Sequence, residues 1–358
     1  MTTPRVRRSY RPATTRATRR RYQPPKHEGD DSMTQVVPRE ADWDTAPGLL
    51  DGAMNLELTA QQCNLGYWLS AVAQGTLRDR AETGHALTAG TPEHMRQPGP
   101  LRDALVMELG YRSVAEEKAT RILAHYVAQA PTIPDMEFYA TQLIDEARHS
   151  MVFRNHLVEL GEPADGLVAA IADMSAEYTR EILEPVEELA TRTVRDEGDF
   201  VGGVAIFTIV IEGVLAPAAE LSERKWQVLD PAASEIARGA SIDEIRHLTV
   251  GSSILRDHLA ANPDYRPRLL DILARGRKLW DELPEEKYVL HREELFQEGM
   301  RQHADLVGDY EIWPGRRMID TTPAERYAKA ERWTDEMAIV RLRYMGLPDA
   351  LPVLGLKP

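Results

Sequence analysis

The chain carries one short string twice, Ile-Asp-Glu-Ala-Arg-His at 144–149 and Ile-Asp-Glu-Ile-Arg-His at 242–247. The core that both copies share is Asp-Glu-x-Arg-His. Two copies of a five-residue pattern arise by chance far more rarely than a single Glu-x-x-His. Both copies lie in stretches with apolar residues at three- and four-residue spacing, so we expect each copy on an α-helix.

The repeat offers one carboxylate and one imidazole on each of two helices. Side chains three residues apart share a helix face, so Glu146 and His149, like Glu244 and His247, can bind one metal ion together. Two such helices, with one further Glu from each of two other helices, form the two-metal carboxylate site of a four-helix bundle. The repeat therefore predicts that site and requires two more glutamates.

Each missing glutamate is expected on the helix before its motif, about thirty residues upstream in a helical hairpin. The apolar stretch 207–218 contains a single carboxylate, Glu212. Burying a lone ionised Glu costs on the order of several kcal/mol in stability unless the carboxylate is paired, protonated or bound to metal. Before the first motif the helix offers Glu108, Glu116 and Glu117, of which Glu116 falls on the apolar face. We predict Glu212 and Glu116 as ligands and retain Glu117 as an alternative.

Charge balance favours iron in this site. Four carboxylates neutralise two divalent ions, and two neutral imidazoles complete the ligand set that iron prefers; manganese or a mixed manganese and iron pair is the alternative. Zinc alone would not need so many carboxylates. Asp145 and Asp243 are expected to accept a hydrogen bond from a ligating His ring, and Arg148 and Arg246 to pair with those Asp residues across the bundle.

Helical periodicity extends over nearly the whole chain from Met54 onward, and no alternating β-branched run is evident. We therefore predict an all-α fold. Residues 1–32 are rich in Arg, Thr and Pro and are expected to be a disordered tail. Residues 33–358 are expected to form one helical domain with its metal-binding core at about 100–260. The predicted helices are 54–81, 101–129, 135–160, 164–196, 200–226, 231–260, 266–280, 284–307 and 323–345.

Composition excludes several classes of protein. The single Cys63 rules out an internal disulfide or a thiolate cluster and favours a reducing, cytoplasmic location. The net charge is −14 although the first 27 residues are basic, so the body lacks the basic face that nucleic-acid binding needs. No run of about 18 apolar residues suggests a membrane span. His85, in a Gly- and Thr-rich loop, has no matching ligand nearby and is expected to be solvated.

The doubled motif, with a Glu on each preceding helix, resembles the ferritin-like di-iron carboxylate superfamily of oxygenases, desaturases and ribonucleotide reductase small subunits. The resemblance covers about residues 100–260 and implies a ferritin-like four-helix bundle, here with additional N- and C-terminal helices. It implies two iron ions, reaction with dioxygen and an external electron donor such as a reductase or ferredoxin, and it leaves a homodimer open. It also implies that Glu146 and Glu244 bridge the two irons.

Three positions depart from known subgroups. Phe153 stands where ribonucleotide reductase small subunits carry a radical-forming Tyr. Ala216 stands where soluble hydrocarbon monooxygenases usually carry a Thr, and Ala240 stands where arylamine N-oxygenases add a further His. The chain therefore keeps the six ligands but matches none of these three subgroups.

We accordingly predict an oxygenase of specialised metabolism that N-oxygenates a small amine or hydrazine-like substrate. The alternatives are C–H hydroxylation or desaturation, and a radical-generating subunit of a partner enzyme. Residues one helical turn from the ligands are expected to line the substrate pocket. They are Thr208, Gly213, Ala216 and Ala240.

Overall fold

The computed structural model describes residues 39–357. The tail predicted at 1–32 lies outside these residues. Within them most residues are helical and almost none lie in strands, which confirms the predicted all-α fold.

Four long helices form the centre of the molecule. Pro in the first turn or a capping side chain stabilises the start of several helices. Thr132 caps the helix that begins at Ile133, Asp199 caps the one that begins at Phe200, and Asp230 caps the one that begins at Pro231. The short connections 130–132 and 227–230 each make the two helices that they join antiparallel neighbours. The four are α4 (Pro100–Gln129), α5 (Ile133–Glu159), the third long helix (Phe200–Trp226) and α12 (Pro231–Ala261).

The third long helix is not a regular α-helix. It runs as α9 (Phe200–Ala205), a π-helical segment (Ile206–Ile211), α10 (Glu212–Leu215) and α11 (Pro217–Trp226). By length and composition this helix could cross a membrane, although Glu212 interrupts its apolar run. In the bundle 83% of its most apolar window is buried, as expected for a core helix of a folded protein.

The other helices surround this centre. Those predicted at 266–280, 284–307 and 323–345 are present with bounds close to the predicted ones. The additional elements are α1 (Leu49–Asn55), α2 (Leu65–Tyr67) with a π-helical continuation (Trp68–Thr76), α3 (Glu93–Arg96), α6 (Leu167–Met174), α7 (Ala176–Tyr178), α8 (Glu184–Thr191), α13 (Arg266–Glu282), α14 (Glu285–Gln302), α15 (Ala304–Val307) and α16 (Pro323–Tyr344).

Three regions differ from the sequence prediction. The helix expected at 54–81 is interrupted, because Leu56 adopts an extended backbone and Asn64 caps a new start. The helix expected at 164–196 is divided by two π-helical segments, Thr179–Leu183 and Arg192–Asp196. A small antiparallel hairpin, β1 (Glu311–Trp313) and β2 (Arg316–Arg317), was not predicted, since such short strands show no alternation.

Two apolar clusters fill the central bundle at different levels. The Tyr126 cluster and the Trp226 cluster both draw on all four long helices. Along each helix, the residue or residues predicted to bind metal lie between the parts that belong to the two clusters. The Tyr126 cluster contains Leu123, Tyr126, Phe138, Tyr139, Phe200, Phe207, Val250 and Leu255. The Trp226 cluster contains Leu105, Leu109, Val152, Phe153, Leu221, Trp226, Ile236 and Ala240.

Candidate metal centre

The six predicted ligands meet in a layer between the two apolar clusters. Glu146 is common to two groups of potential ligand atoms. Within each group, all these atoms lie within 4.8 Å of one another. One group joins it to Glu116 and His149, and the other joins it to Glu212, Glu244 and His247. The structure therefore brings all six side chains together, one or two from each long helix.

Glu146 lies between the two histidines. Its Oε2 is 3.3 Å from Nδ1 of His149, and its Oε1 is 3.2 Å from Nδ1 of His247. His247 Nδ1 is also 3.5 Å from Glu212 Oε1 and 3.9 Å from Glu244 Oε2. Both imidazoles thus turn the same ring nitrogen towards the carboxylates.

The two adjacent glutamates on α4 differ in their surroundings. Glu116 is partly buried and belongs to the cluster, whereas Glu117 is exposed and pairs with Arg121 at 2.7 Å. Glu117 therefore lies outside the group of potential ligands.

Glu212 follows directly after the π-helical segment Ile206–Ile211. A π-helical turn changes the direction of the side chains after it relative to those before it. Glu212 is buried, and its Oε1 accepts a hydrogen bond of 2.6 Å from Gln142 on α5. This bond connects the two helical hairpins across the bundle.

Several atoms of the cluster that could coordinate a metal ion have no hydrogen-bond partner. They are Glu146 Oε1, Glu212 Oε2, Glu244 Oε2 and His247 Nδ1, all buried. A buried polar atom without a partner costs about 1–3 kcal/mol, more if charged. Coordination of metal ions would satisfy these atoms, so the residues present fit a two-metal site.

The electrostatics of the cluster point the same way. Burial, followed by the neighbouring Glu146, raises the pKa of Glu116, and burial followed by Glu212 raises the pKa of Glu244. Burial also raises the pKa of Glu212 to about 7. Burial would raise the pKa of Glu146 too, but the adjacent imidazoles of His149 and His247 lower it. Without cations, the cluster must hold protons in place of positive ions.

The outer ring nitrogens of the two histidines contact the Asp residue of the opposite motif. His149 Nε2 lies 3.1 Å from Asp243, and His247 Nε2 lies 3.3 Å from Asp145. This exchange fixes both rings with Nδ1 towards the cluster. The hairpins are thus linked reciprocally behind the candidate ligands.

Arginines complete these links. Arg148 donates to Asp243 at 3.0 Å, while Arg246 donates to Asp145 at 2.6 Å and to Asp243 at 2.9 Å. Both Asp residues are fully buried, and the positive guanidinium groups balance the negative charges of their carboxylates.

Sequence reasoning missed a contact from outside the bundle. Trp68 donates its indole N–H to Asp145 Oδ1 at 2.8 Å. Glu40, whose Oε1 accepts a 2.5 Å hydrogen bond from Tyr67, lies close enough for the field of Arg246 to lower its pKa, although burial raises it overall. These residues are far from the motifs in sequence, and no local pattern identifies them.

A small cavity lies between the third long helix, α12 and α16. Its volume is about 20 Å³, room for one water molecule. Thr208 and Gly213, two of the four residues expected to line a substrate pocket, line this cavity. The other lining residues are Ile209, Leu248, Ser252, Met337, Ala338, Arg341, Leu342 and Met345.

The other two predicted pocket residues do not line this cavity. Ala216 packs with Leu49, Ala53 and Met337 where α1 and α16 cover the bundle. Ala240 is part of the Trp226 cluster, on the other side of the candidate ligands. Helical spacing alone gave their distance from a ligand but not which neighbouring helix covers them.

Comparison with known proteins supports the fold. A protein from Synechococcus with aldehyde deformylating oxidase activity superposes with a TM-score of 0.51 at 18% identity, over 73% of this chain and 98% of that one. The chain has the ferritin-like fold. An R2-like ligand-binding oxidase mutant with a Mn/Fe cofactor superposes with a TM-score of 0.54 at 16% identity, over 75% of this chain and 90% of that one. Another mutant of such an oxidase, with an Fe/Fe cofactor, superposes with a TM-score of 0.51 at 15% identity, over 83% of this chain and 91% of that one.

Sequence comparison adds no closer relative. No protein-family model and no curated protein sequence matches the chain. At these identities the structural likeness establishes the ferritin-like fold, and the chemistry has to be argued from the site.

Proposed function

We propose that the chain is a dioxygen-activating oxidoreductase that uses two iron ions. The buried, unpartnered donor atoms of the cluster carry this proposal, since they are the atoms that metal ions would satisfy. Iron bound there would supply the redox chemistry with dioxygen. Manganese in one or both positions is the alternative, because the same donor set binds it.

The geometry suggests how the ligands divide. Glu116 and His149 are placed for one ion, and Glu212, Glu244 and His247 for the other. Glu146 belongs to both groups and presents one oxygen to each histidine, so we assign it to contact both ions.

The remaining residues hold this arrangement and keep it dry. Asp145 and Asp243 orient the two rings, and the arginines hold those Asp residues in place through ion pairs. The two apolar clusters exclude bulk water, which strengthens every charge interaction between them. We further infer a cytoplasmic enzyme that receives electrons from a reductase or ferredoxin, in keeping with one buried, unpaired cysteine.

Two reactions remain for the substrate. N-oxygenation of a small amine or hydrazine-like molecule is the first candidate, for which the cavity would have to widen, since it has room for one water molecule. The lining favours the second candidate, C–H hydroxylation or desaturation: it is largely apolar, and its one charged group is the cation Arg341. A protonated amine would find no carboxylate among these residues, whereas the apolar side chains match a hydrocarbon group in polarity.

The test is anaerobic loading of the full-length protein with Fe²⁺, followed by dioxygen and a chemical reductant. We expect about two irons per chain and reductant-dependent dioxygen consumption. Glu116→Gln should lose iron, whereas Glu117→Gln, one residue along the same helix, should not. A reproducible single zinc in place of iron would contradict the proposal.

The same sample separates the oxidase from a radical-generating subunit. Phe153 lies in the Trp226 cluster with its ring 6.5 Å from that of His149, and it cannot form a tyrosyl radical. We therefore expect no persistent tyrosyl signal in the electron paramagnetic resonance spectrum after dioxygen exposure. A stable signal at stoichiometric yield would favour the radical-generating role instead.

A further inference from the structure

A second group of metal-binding side chains lies at the end of α5, outside the six-residue cluster. His85, His156 and Glu159 each present one potential ligand atom within 4.8 Å of the others. His156 is about two helical turns beyond His149 along α5. The sequence prediction of a solvated His85 is wrong, because its side chain is buried against this helix end.

The hydrogen bonds fix which nitrogen of each ring carries a proton. His85 Nδ1 lies 2.9 Å from the carbonyl oxygen of Ala86, which can only accept, so Nδ1 is protonated. His156 Nε2 lies 3.2 Å from Asp230, an acceptor that also caps α12. In their neutral forms both rings therefore turn the lone pair of the other nitrogen inwards.

These lone pairs point at the same carboxylate. Glu159 Oε2 is 3.0 Å from His85 Nε2 and 2.8 Å from His156 Nδ1. Three acceptors in direct contact repel one another unless positive charge lies between them. Either both rings take a second proton, or one divalent cation takes the place of the two protons.

We propose that His85, His156 and Glu159 bind a zinc ion that fixes the segment 77–99 to the ends of α5 and α12. Two imidazoles and one carboxylate are a donor set that zinc binds, with a fourth position left for water. At zinc bond lengths of about 2.0–2.2 Å, tetrahedral ligand atoms are about 3.3 Å apart, close to the separations here. Calcium and magnesium prefer oxygen ligands and fit less well.

One zinc ion carries the same charge as two extra protons but places it at a single point. Asp230 and Glu159 supply two negative charges, which one zinc ion balances. Their field already acts on the rings: burial lowers the pKa of His156, but hydrogen bonds to Asp230 and Glu159 raise it to about 9. Two imidazolium rings 5.9 Å apart would repel each other, and a single shared cation removes that repulsion.

The surroundings make this a built site with a route for entry. Thr91 donates to Glu159 Oε2 at 3.1 Å, and Ala86 N donates to Glu235 on α12 at 2.8 Å. Gly84, at a φ of +77°, lets the loop approach so closely that a Cβ would lie 3.0 Å from Val152 and from Ile236. The Glu159 side chain is 31% exposed, so an ion can enter from solvent beside it.

The test is zinc titration of the full-length protein as purified, with a competing chromophoric chelator and with iron measured before and after. We expect the wild type to bind about one more zinc ion than His85→Asn or Glu159→Gln, and zinc to raise the melting temperature of the wild type only. The matched control is His94→Asn, because His94 binds the Leu229 carbonyl and stacks on His303 outside this group. It should behave as the wild type.

Equal zinc binding by wild type, His85→Asn and Glu159→Gln would overturn the proposal and leave the group held by protons. Glu159 is partly exposed, so Glu159→Gln should fold even if substitution of the buried His85 does not. None of the six residues of the central cluster takes part, so this result is independent of the proposed oxidase function.

Discussion

The two hairpins of the central bundle carry the same motif on different backbones. In the first hairpin both helices, α4 and α5, are regular throughout their length. In the second, the helix that precedes α12 contains a π-helical segment that ends at Ile211, directly before Glu212. Every residue that lines the cavity comes from the second hairpin, from α16 or from Met345 directly after it. The comparison teaches that one hairpin mainly supplies ligands, whereas the other supplies ligands and space.

The largest expected effect tests whether the hairpins share one centre. Glu146 belongs to both ligand groups, so Glu146→Gln should reduce bound iron from about two per chain to less than about half an equivalent. Metal analysis of anaerobically loaded protein measures this. If Glu146→Gln kept one full equivalent, the two halves would bind metal separately, and the shared position of Glu146 would be wrong.

The next effect tests the symmetry of the outer contacts. Asp145→Asn and Asp243→Asn each leave all six candidate ligands intact but weaken the acceptor of one ring N–H. We expect each to lower iron affinity by about 10- to 100-fold, the usual cost of such a carboxylate. Arg148→Met should reproduce part of the Asp243 defect, because Arg148 donates to that residue. Competition with a chelator gives the affinities, and wild-type values in all three variants would contradict the role.

These contacts also mark how far the sequence could predict the site. Four of the ligands and their Asp and Arg neighbours could be predicted because they belong to a local repeat on a helix, where spacing fixes the face. Glu116 and Glu212 were predicted from their place on an apolar face and in an apolar stretch. Trp68 contacts Asp145 from 77 residues away, and His85 meets Glu159 from 74 residues away. Such contacts depend on how loops pack over the bundle, which local periodicity does not encode.

The π-helical segment escaped prediction for a different reason. Residues 200–226 are apolar on nearly all sides, so the pattern gives the length of the helix but not its hydrogen-bond period. A single π-helical turn leaves the composition of the helix unchanged. Ala216 and Ala240 were placed in the pocket on regular helical spacing, and the structure packs them against α1 and the Trp226 cluster instead.

A moderate effect concerns the pH dependence of metal binding by the second hairpin. Burial raises the pKa of Glu212 to about 7, so a metal ion must displace its proton below that pH. This one group should lower iron affinity about tenfold for each pH unit below 7. Glu212→Gln should bind more weakly throughout, with a pH dependence shallower by about one proton. Chelator competition between about pH 6 and 8 measures both slopes. Parallel slopes would show that Glu212 does not take part.

The smallest effect on the metals is expected from the space that distinguishes the second hairpin. A Cβ at Gly251 on α12 would lie 2.0 Å from Thr208 Oγ1, so Gly251→Ala must displace the π-helical segment or the Thr208 side chain. Overpacking of this kind lowers the free energy of unfolding by about 1–3 kcal/mol. Iron content should stay near two per chain, because no candidate ligand is replaced, while turnover should fall as Thr208 moves into the cavity.

The matched control for that variant is Gly239→Ala on the same helix. There the nearest atom to a new Cβ is 3.6 Å away on Trp43, an ordinary contact, and alanine favours the helix by up to about 1 kcal/mol. Chemical denaturation of the two variants separates local crowding from a general effect of glycine replacement. If Gly251→Ala were as stable and as active as Gly239→Ala, the close approach of Thr208 to α12 would not shape the cavity, and the asymmetry between the hairpins would reside in their ligands alone.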